Sequence, residues 1–147
     1  MGAMTVNLTI DDHVEVIEWN RPPANHFDRE LLVSIADAGG RAQDEGARAV
    51  VLASVGKHFC ADVDFAAGQI RADPHGAISA LYEAGKRIFA LEIPVVAAVQ
   101  GAAVGGGLGL ACAADFRVAT ARLMQTADAA AGIEASLARE TPRFEGR

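Results

Sequence analysis

The sequence predicts an α/β domain with a largely parallel sheet. A hairpin pattern opens the chain at residues 6–19, and short apolar runs then alternate with segments of helical spacing. An uncharged stretch at 93–114 has the pattern of a strand, a glycine turn and a helix. The order strand–helix–strand–helix–strand needs crossover connections, which place the strands parallel to one another.

The hairpin is indicated by two short segments of alternating apolar and polar residues. These are residues 6–10 and 14–19, separated by Asp11-Asp12-His13. The segment Asn20-Arg21-Pro22-Pro23 is expected to end the second strand, because proline lacks an amide donor and restricts its neighbour.

The first helix is predicted to begin after Asp28, whose carboxylate can accept from the free N–H groups of a first turn. Gly39-Gly40 is expected to weaken this helix or to end it early. A short buried strand is predicted at Ala49–Ser54. The apolar stripe of the helix comprises Leu31, Leu32, Ile35 and Ala38.

The second helix is predicted to begin at Asp73-Pro74, an N-cap followed by proline at the first helical position. Strands at 94–100 and 116–119 and a helix at 108–114 complete the predicted elements. The domain core is expected at 1–133, with an irregular or divergent tail at 134–147. The second helix carries a stripe that we interpret as core, formed by Ile78, Leu81, Tyr82, Gly85, Ile88 and Phe89.

The glycine turn at 101–107 is the predicted functional site. The N–H groups at a helix start can hold an anion or a carbonyl oxygen that gains negative charge. A turn for tight helix–strand packing is the structural alternative. A membrane span of about 22 residues is another, but five glycines, a proline and a glutamine disfavour it. The spacing fits neither G-x-G-x-x-G nor the phosphate loop.

Composition narrows the class of partner. A net charge of −6 argues against nucleic acid or an anionic membrane. Cys60 and Cys112 fit no metal or redox spacing, and Asp62 and Asp64 lack further ligands, so no metal site is predicted. The N-terminus lacks the basic start and apolar core of a signal peptide, and a cytoplasmic protein is expected.

Three short sequence motifs follow one another along the chain. They are NRPPAN at 20–25, GKHFCA-x-x-D at 56–64, and PVVAAV-x-G at 94–101 followed by a glycine triplet at 105–107. Over roughly residues 5–133 they resemble the crotonase family, the enoyl-CoA hydratase/isomerase superfamily. The resemblance implies a spiral of ββα units that is truncated here at the C-terminus. It also implies an acyl-CoA thioester as ligand without a separate cofactor, and assembly as a homotrimer or hexamer.

The resemblance further implies two backbone amides around the thioester oxygen, those of Ala61 and Gly106. One acid/base glutamate position of the family holds Gly109 here, and the other corresponds to Asp128. Asp128 is one methylene shorter than glutamate, and a loop or cap carboxylate is its alternative role. Asp62 stands where the family usually has glycine, and its charge would repel an enolate unless it points to solvent.

Further residues are predicted to contact the substrate. In the family the loop that holds His26 runs near the CoA, and Lys57 could pair with a phosphate. A solvated cation for Lys57 and a helix cap for Asp64 are the alternatives. The predicted substrate-binding set is Asn25, His26, Lys57, Phe59, Cys60, Asp64, Gly105 and Gly109.

The sequence therefore leads to an acyl-CoA-binding protein of hydratase or isomerase type. Isomerisation needs only one well-placed base, so it tolerates Gly109 better than hydration does. A non-catalytic acyl-CoA-binding or assembly subunit is the alternative from another class, and an inactive fragment is a third.

Overall fold

A computed structural model describes residues 4–65, 72–119 and 127 of the chain. Within these ranges a mixed sheet is flanked by helices, as the alternating pattern predicts. The strands are β1 (Thr5–Asp11), β2 (Val14–Asn20), β3 (Ala49–Ser54), β4 (Val95–Val99) and β5 (Phe116–Ala119). The helices are α1 (Arg29–Asp44), α2 (Pro74–Phe89) and α3 (Gly106–Ala113).

The strands lie in the order β1-β2-β3-β4-β5. β1 and β2 pair antiparallel, with Leu8 opposite Ile17, and the remaining neighbours are parallel. In that register Ile17, Leu52 and Ala97 follow one another across the sheet. The predicted hairpin and parallel crossovers are confirmed.

The core lies where one face of the sheet packs against the helices. Every second residue of β2 is buried, as expected for a strand with one covered face. Each large apolar side chain removed from water in this way contributes about 1.5–3 kcal/mol. The largest fully buried side chains are Trp19, Phe59, Ile17, Leu31, Ile35, Leu52, Ile88, Val50 and Cys60.

Both predicted helix caps are confirmed. The Asp28 carboxylate accepts from the Leu31 N–H at 3.0 Å, and the Asp73 carboxylate accepts from the Gly76 N–H at 2.9 Å. Pro74 occupies the first turn of α2, where its missing N–H would have no helical partner.

The expected early end of α1 at its glycine pair is wrong, because the helix continues to Asp44. A Cβ on Gly39 would lie 2.7 Å from Leu91 Cδ1, whereas a Cβ on Gly40 would have no neighbour within 4 Å. Gly39 thus lets the segment after α2 approach α1 closely, and this packing stabilises the helix through the pair.

The core interpretation of the α2 stripe is wrong for two of its members. Leu81 and Ile88 are buried, but Tyr82 is 72% exposed and Phe89 is 65% exposed. The stripe is wider than the surface that α1 covers. Its outer edge borders an open cavity together with α3, in which Leu108 is also exposed.

Two predictions concern the chain as a whole. The proposed boundary at 133 and the tail at 134–147 lie outside the described residues. Among the helices of the described ranges, none combines the length and the apolarity that crossing a membrane requires.

Candidate active site

The candidate site lies where the loop after β3 meets the start of α3. The Cys60 N–H donates to the Ala102 carbonyl at 3.1 Å, and the Val104 N–H donates to the Cys60 carbonyl at 3.0 Å. A Cβ on Gly107 would overlap that Cys60 carbonyl. Glycine at this position therefore allows the loop to lie directly against the helix start.

The other two glycines of the triplet also permit close approach. Gly105 has a φ of +51°, in the left-handed region, and a Cβ there would overlap the Asp62 carboxylate. A Cβ on Gly106 would lie 2.5 Å from Phe27 Cζ. A side chain at either position would displace the groups that surround the helix start.

Two backbone amides converge on one oxygen atom at this place. The Val63 N–H donates to Asp62 Oδ1 at 2.7 Å, and the Gly106 N–H donates to the same atom at 2.8 Å. The hydrogen bond from Gly106 and then that from Val63 hold the pKa of Asp62 below its ordinary value, against the opposing effect of burial. The pair forms a preorganised pocket for a negatively charged oxygen.

The predicted pairing of Ala61 with Gly106 is corrected by this geometry. The Ala61 N–H donates to the Ala24 carbonyl at 3.1 Å, so it is engaged within the loop. Val63, which the sequence reasoning missed, supplies the amide that meets Gly106. The sequence signal for this was at Asp62. The family usually has glycine at that position, which indicates a backbone of positive φ, and such a backbone changes the direction of the next N–H. Asp62 indeed has a φ of +100°.

Arg21 holds the polar surroundings of the site together. Its guanidinium lies 2.9 Å from the carboxylates of both Asp28 and Asp64, and it donates to the His26 carbonyl at 2.6 Å. The Asp64 N–H donates to the Phe27 carbonyl at 2.7 Å. The predicted substrate contact of Asp64 is therefore not supported, because its carboxylate is engaged by Arg21.

Asn25 fastens two loops to each other instead of facing a ligand. It is 3% exposed and has a φ of +56°. Its Oδ1 accepts from the Arg21 N–H, and its Nδ2 donates to the carbonyls of Val55 and His58, each at 2.8 Å. These bonds occupy the side-chain amide, and the predicted substrate contact of Asn25 is corrected to a structural role.

Phe59 and Cys60 are also core residues rather than substrate contacts. Both are fully buried, and the Phe59 ring packs edge to face on Trp19 with 5.0 Å between centroids. Burial raises the pKa of the Cys60 thiol to about 11. A thiol of this kind remains protonated at neutral pH, which makes it a poor nucleophile.

The two basic side chains that were predicted to contact substrate differ in position. Lys57 is exposed in the turn that precedes Phe59. His26 is partly buried and close enough to Asp62 to favour its ionised form. Within the described ranges, the His26 Nδ1 atom is buried without a hydrogen-bond partner.

An open cavity of about 550 Å³ adjoins the two amides, between α2, α3 and the loop at 62–65. Gly105 and Gly109, two of the predicted substrate-binding residues, line it, and a Cβ on Gly109 would meet no atom within 4 Å. Among the described lining residues Asp62 is the sole carboxylate. The apolar side chains of the lining are Phe27, Leu32, Val63, Phe65, Ile78, Leu81, Ile88, Phe89, Leu110 and Ala113.

Two further predictions concern residues or groups at this site. Asp128, the predicted proton-transfer residue, lies outside the described residues. In the described parts of the chain, no group of three or more His, Cys, Asp or Glu side chains could hold a metal ion.

Comparison with known proteins gives a consistent result. The family model for enoyl-CoA hydratase/isomerase matches residues 9–137. A relative named as a probable enoyl-CoA hydratase of Mycobacterium tuberculosis is 40% identical over 118 residues, which cover 78% of this chain and 46% of the relative. A crotonyl-CoA hydratase of Syntrophomonas wolfei is 34% identical over 130 residues, which cover 81% of this chain and 48% of the relative.

Solved structures agree with the sequence relatives. An enoyl-CoA hydratase from Bacillus anthracis superposes with a TM-score of 0.70 at 32% identity, covering 78% of this chain and 46% of that one. The chain thus spans about half the length of the relatives it matches. The predicted crotonase fold is confirmed, and the chain belongs to the enoyl-CoA hydratase/isomerase family.

Proposed function

We propose that the chain binds an acyl-CoA thioester and holds its carbonyl oxygen with the amides of Val63 and Gly106. The convergence of these two N–H groups on one oxygen, at 2.7 and 2.8 Å, is the observation that carries the proposal. These distances are those expected for donors that stabilise an oxyanion.

A thioester fits this arrangement for a chemical reason. Proton removal beside a thioester carbonyl gives an enolate, whose charge accumulates on the oxygen. Fixed N–H donors stabilise that charge without having to reorient during the reaction. The adjoining cavity of about 550 Å³ has the size and the apolar lining of small-molecule sites, and we assign it to the acyl group.

The acid/base side chains limit which reaction the site can perform. Gly109 faces open space in the cavity and offers no group for water activation. Asp128 is the proposed proton-transfer residue. A single base suffices for a proton shift between carbons, whereas hydration needs water activation as well. We therefore propose isomerase chemistry in preference to hydratase chemistry.

A non-catalytic acyl-CoA-binding subunit is the second candidate. It is favoured by the scarcity of carboxylates in the cavity, where the described lining offers only Asp62. Asp128→Ala separates the two candidates. An enzyme loses turnover and keeps its affinity for the thioester, whereas a binder keeps its affinity and shows no turnover before or after the change.

The thermal melt of the chain with and without acyl-CoA thioesters tests the proposed function. A ligand that binds only the folded state raises the midpoint with increasing concentration. We expect a rise with short 2-enoyl-CoA thioesters and none with adenosine nucleotides at equal concentration. A cooperative melt that no thioester moves would refute thioester binding.

Location and assembly belong to the same proposal. We propose a cytoplasmic protein that assembles as a trimer or a pair of trimers. Sedimentation equilibrium of the purified chain tests the assembly, and a monomer that persists at high concentration would refute it.

A further inference from the structure

The two amides of the candidate oxyanion hole already hold an oxygen atom of the chain itself. Asp62 Oδ1 accepts from both Val63 and Gly106. We propose that Asp62 is an internal competitor for the hole, so that a thioester binds only after the Asp62 side chain rotates away. This inference rests on the proposed function for its ligand, although the occupancy can be tested separately.

The geometry leaves no room for both oxygens. Each amide has one hydrogen to donate, and both hydrogens point at the same carboxylate oxygen. The carboxylate also lies where a Cβ of Gly105 would stand. It is therefore inserted against the helix start, in contrast to the solvent-facing orientation that would make it compatible with an enolate.

The competition between the Asp62 carboxylate and a thioester carbonyl for the two amides favours the carboxylate. Hydrogen bonds to an ionised carboxylate are stronger than those to a neutral carbonyl, and the carbonyl of a thioester is neutral before the reaction. Asp62 is the residue directly before Val63, so its carboxylate is also present at a high effective concentration near the two amides. Both effects lower the apparent affinity of the hole for an external carbonyl oxygen.

The surrounding charges support this state. His26 lies close enough to favour the ionised form of Asp62, whereas Arg21 is engaged with Asp28 and Asp64. Lys86 lines the same cavity and is paired with Glu83 at 2.9 Å. The positive φ of Asp62 is a property of its backbone, so rotation of the side chain does not relieve it.

The strained backbone also provides a matched control. Asp12 is an exposed aspartate with a positive φ of +41°, in the turn between β1 and β2. Asp12→Gly removes a carboxylate and a positive-φ side chain, as Asp62→Gly does, but it leaves the cavity unchanged. The two variants therefore share charge and backbone effects and differ in the occupant of the hole.

The first arm of the test measures thioester affinity by calorimetry, with a short 2-enoyl-CoA as the probe. We expect Asp62→Gly to bind at least about tenfold more tightly than the native chain. Asp62→Asn should be intermediate, since its amide oxygen can still accept both bonds without a charge. Asp12→Gly should equal the native chain.

The second arm uses sodium acetate and needs no thioester. Acetate should raise the melting midpoint of Asp62→Gly, because it replaces the missing carboxylate, and should leave the native chain and Asp12→Gly unchanged at equal ionic strength. If Asp62→Gly does not fold, Asp62→Ala, whose side chain also leaves the two amides without an acceptor, takes its place in both arms.

The outcomes separate the two proposals. Acetate rescue without thioester binding to any variant refutes the proposed function and keeps Asp62 as the occupant. A chain that acetate does not stabilise, and in which removal of the carboxylate brings no gain in thioester affinity, overturns the internal competitor.

Discussion

The Nδ2 group of Asn25 donates to the carbonyl oxygen of His58 at 2.8 Å and to that of Val55 at the same distance. This side chain thereby connects the segment after β2 to the loop that carries the candidate oxyanion hole. We expect the position of Val63 relative to Gly106 to depend on that connection, although Asn25 contacts neither residue through these bonds.

Asn25→Ala is expected to lower the free energy of unfolding by about 2–4 kcal/mol. The change removes the side-chain donor of the Val55 carbonyl and one of the donors of the His58 carbonyl in a partly buried place, and it puts alanine at a φ of +56°. Urea denaturation measures the loss. Asn7→Ala, at an exposed position in β1, is the control and should change stability by less than about 0.5 kcal/mol. Equal stabilities of the two variants would contradict the connecting role.

Gly109→Glu is expected to increase hydration of a short 2-enoyl-CoA by at least about tenfold, since a positioned acid/base group contributes about 10²–10⁴. The side chain has space, because no atom lies within 4 Å of a Cβ at this position. Loss of the enoyl absorbance follows the reaction. Gly40→Glu adds the same side chain on α1, outside the cavity, and should bring no gain. An unchanged rate in Gly109→Glu would show that the site does not activate water.

The two cysteines are expected to react with iodoacetamide at different rates at pH 8. Burial raises the pKa of Cys60 to about 11 and shields it, whereas Cys112 is exposed. Mass spectrometry should find one label, on Cys112, under native conditions and two labels in concentrated urea. Rapid labelling of Cys60 in the folded chain would contradict its place in the core.

The contribution of Asp62 to the free energy of unfolding is expected to depend on pH. Its folded pKa lies below the ordinary value of 3.8, chiefly because the Gly106 and Val63 amides stabilise the charge. As the pH falls, the carboxylate is therefore protonated in the unfolded chain before it is protonated in the folded chain. The contribution of Asp62 to the free energy of unfolding is complete above pH 3.8 and is lost as the pH falls below that value. His26 is the other charged group that favours the ionised form.

Urea denaturation of the native chain and of Asp62→Asn at several pH values between about 5 and 3 measures this effect. The free energy of unfolding of the native chain should fall relative to that of Asp62→Asn once the pH falls below about 3.8, whereas the difference should stay constant at the higher pH values. A difference that stays constant over the whole range would contradict the hydrogen bonds of Asp62 to both amides.

The glycine pair in α1 provides a matched comparison. Gly40→Ala should stabilise the chain by about 0.5–1 kcal/mol, because alanine restricts the unfolded chain and favours the helix. Gly39→Ala should bring a smaller gain, since Leu91 must move to accommodate the new methyl group. Thermal melts of the two variants check the order, and a larger gain for Gly39→Ala would contradict the close packing of Leu91.

The secondary structure could be predicted from the sequence wherever the determining residues are close in the chain. The alternation around Asp11-Asp12-His13 and the caps at Asp28 and Asp73 involve neighbours within a few residues, and all three predictions are confirmed. Gly39 is different, because its effect on α1 depends on Leu91, which reaches it only in the folded chain.

The candidate site shows the same limit. The glycine triplet predicted a helix start with free amides, and Gly106 supplies one of the two N–H groups. Whether Ala61 or Val63 supplies the other depends on the backbone direction at Asp62, and the glycine that the family usually has there was the sequence signal for it. The exposure of Tyr82 could not be predicted, because helical spacing does not tell which part of a stripe is covered.

Trp19 is the chain's single tryptophan, and it is fully buried with its ring against Phe59. Within the described residues its indole N–H has no hydrogen-bond partner, so its emission should lie at short wavelengths in the native protein. Phe59 leads directly into the loop of Asp62 and Val63, so a shift of that loop is expected to change the surroundings of the indole. The protein thus carries its own optical reporter, with which unfolding and ligand entry can be followed in real time without any dye.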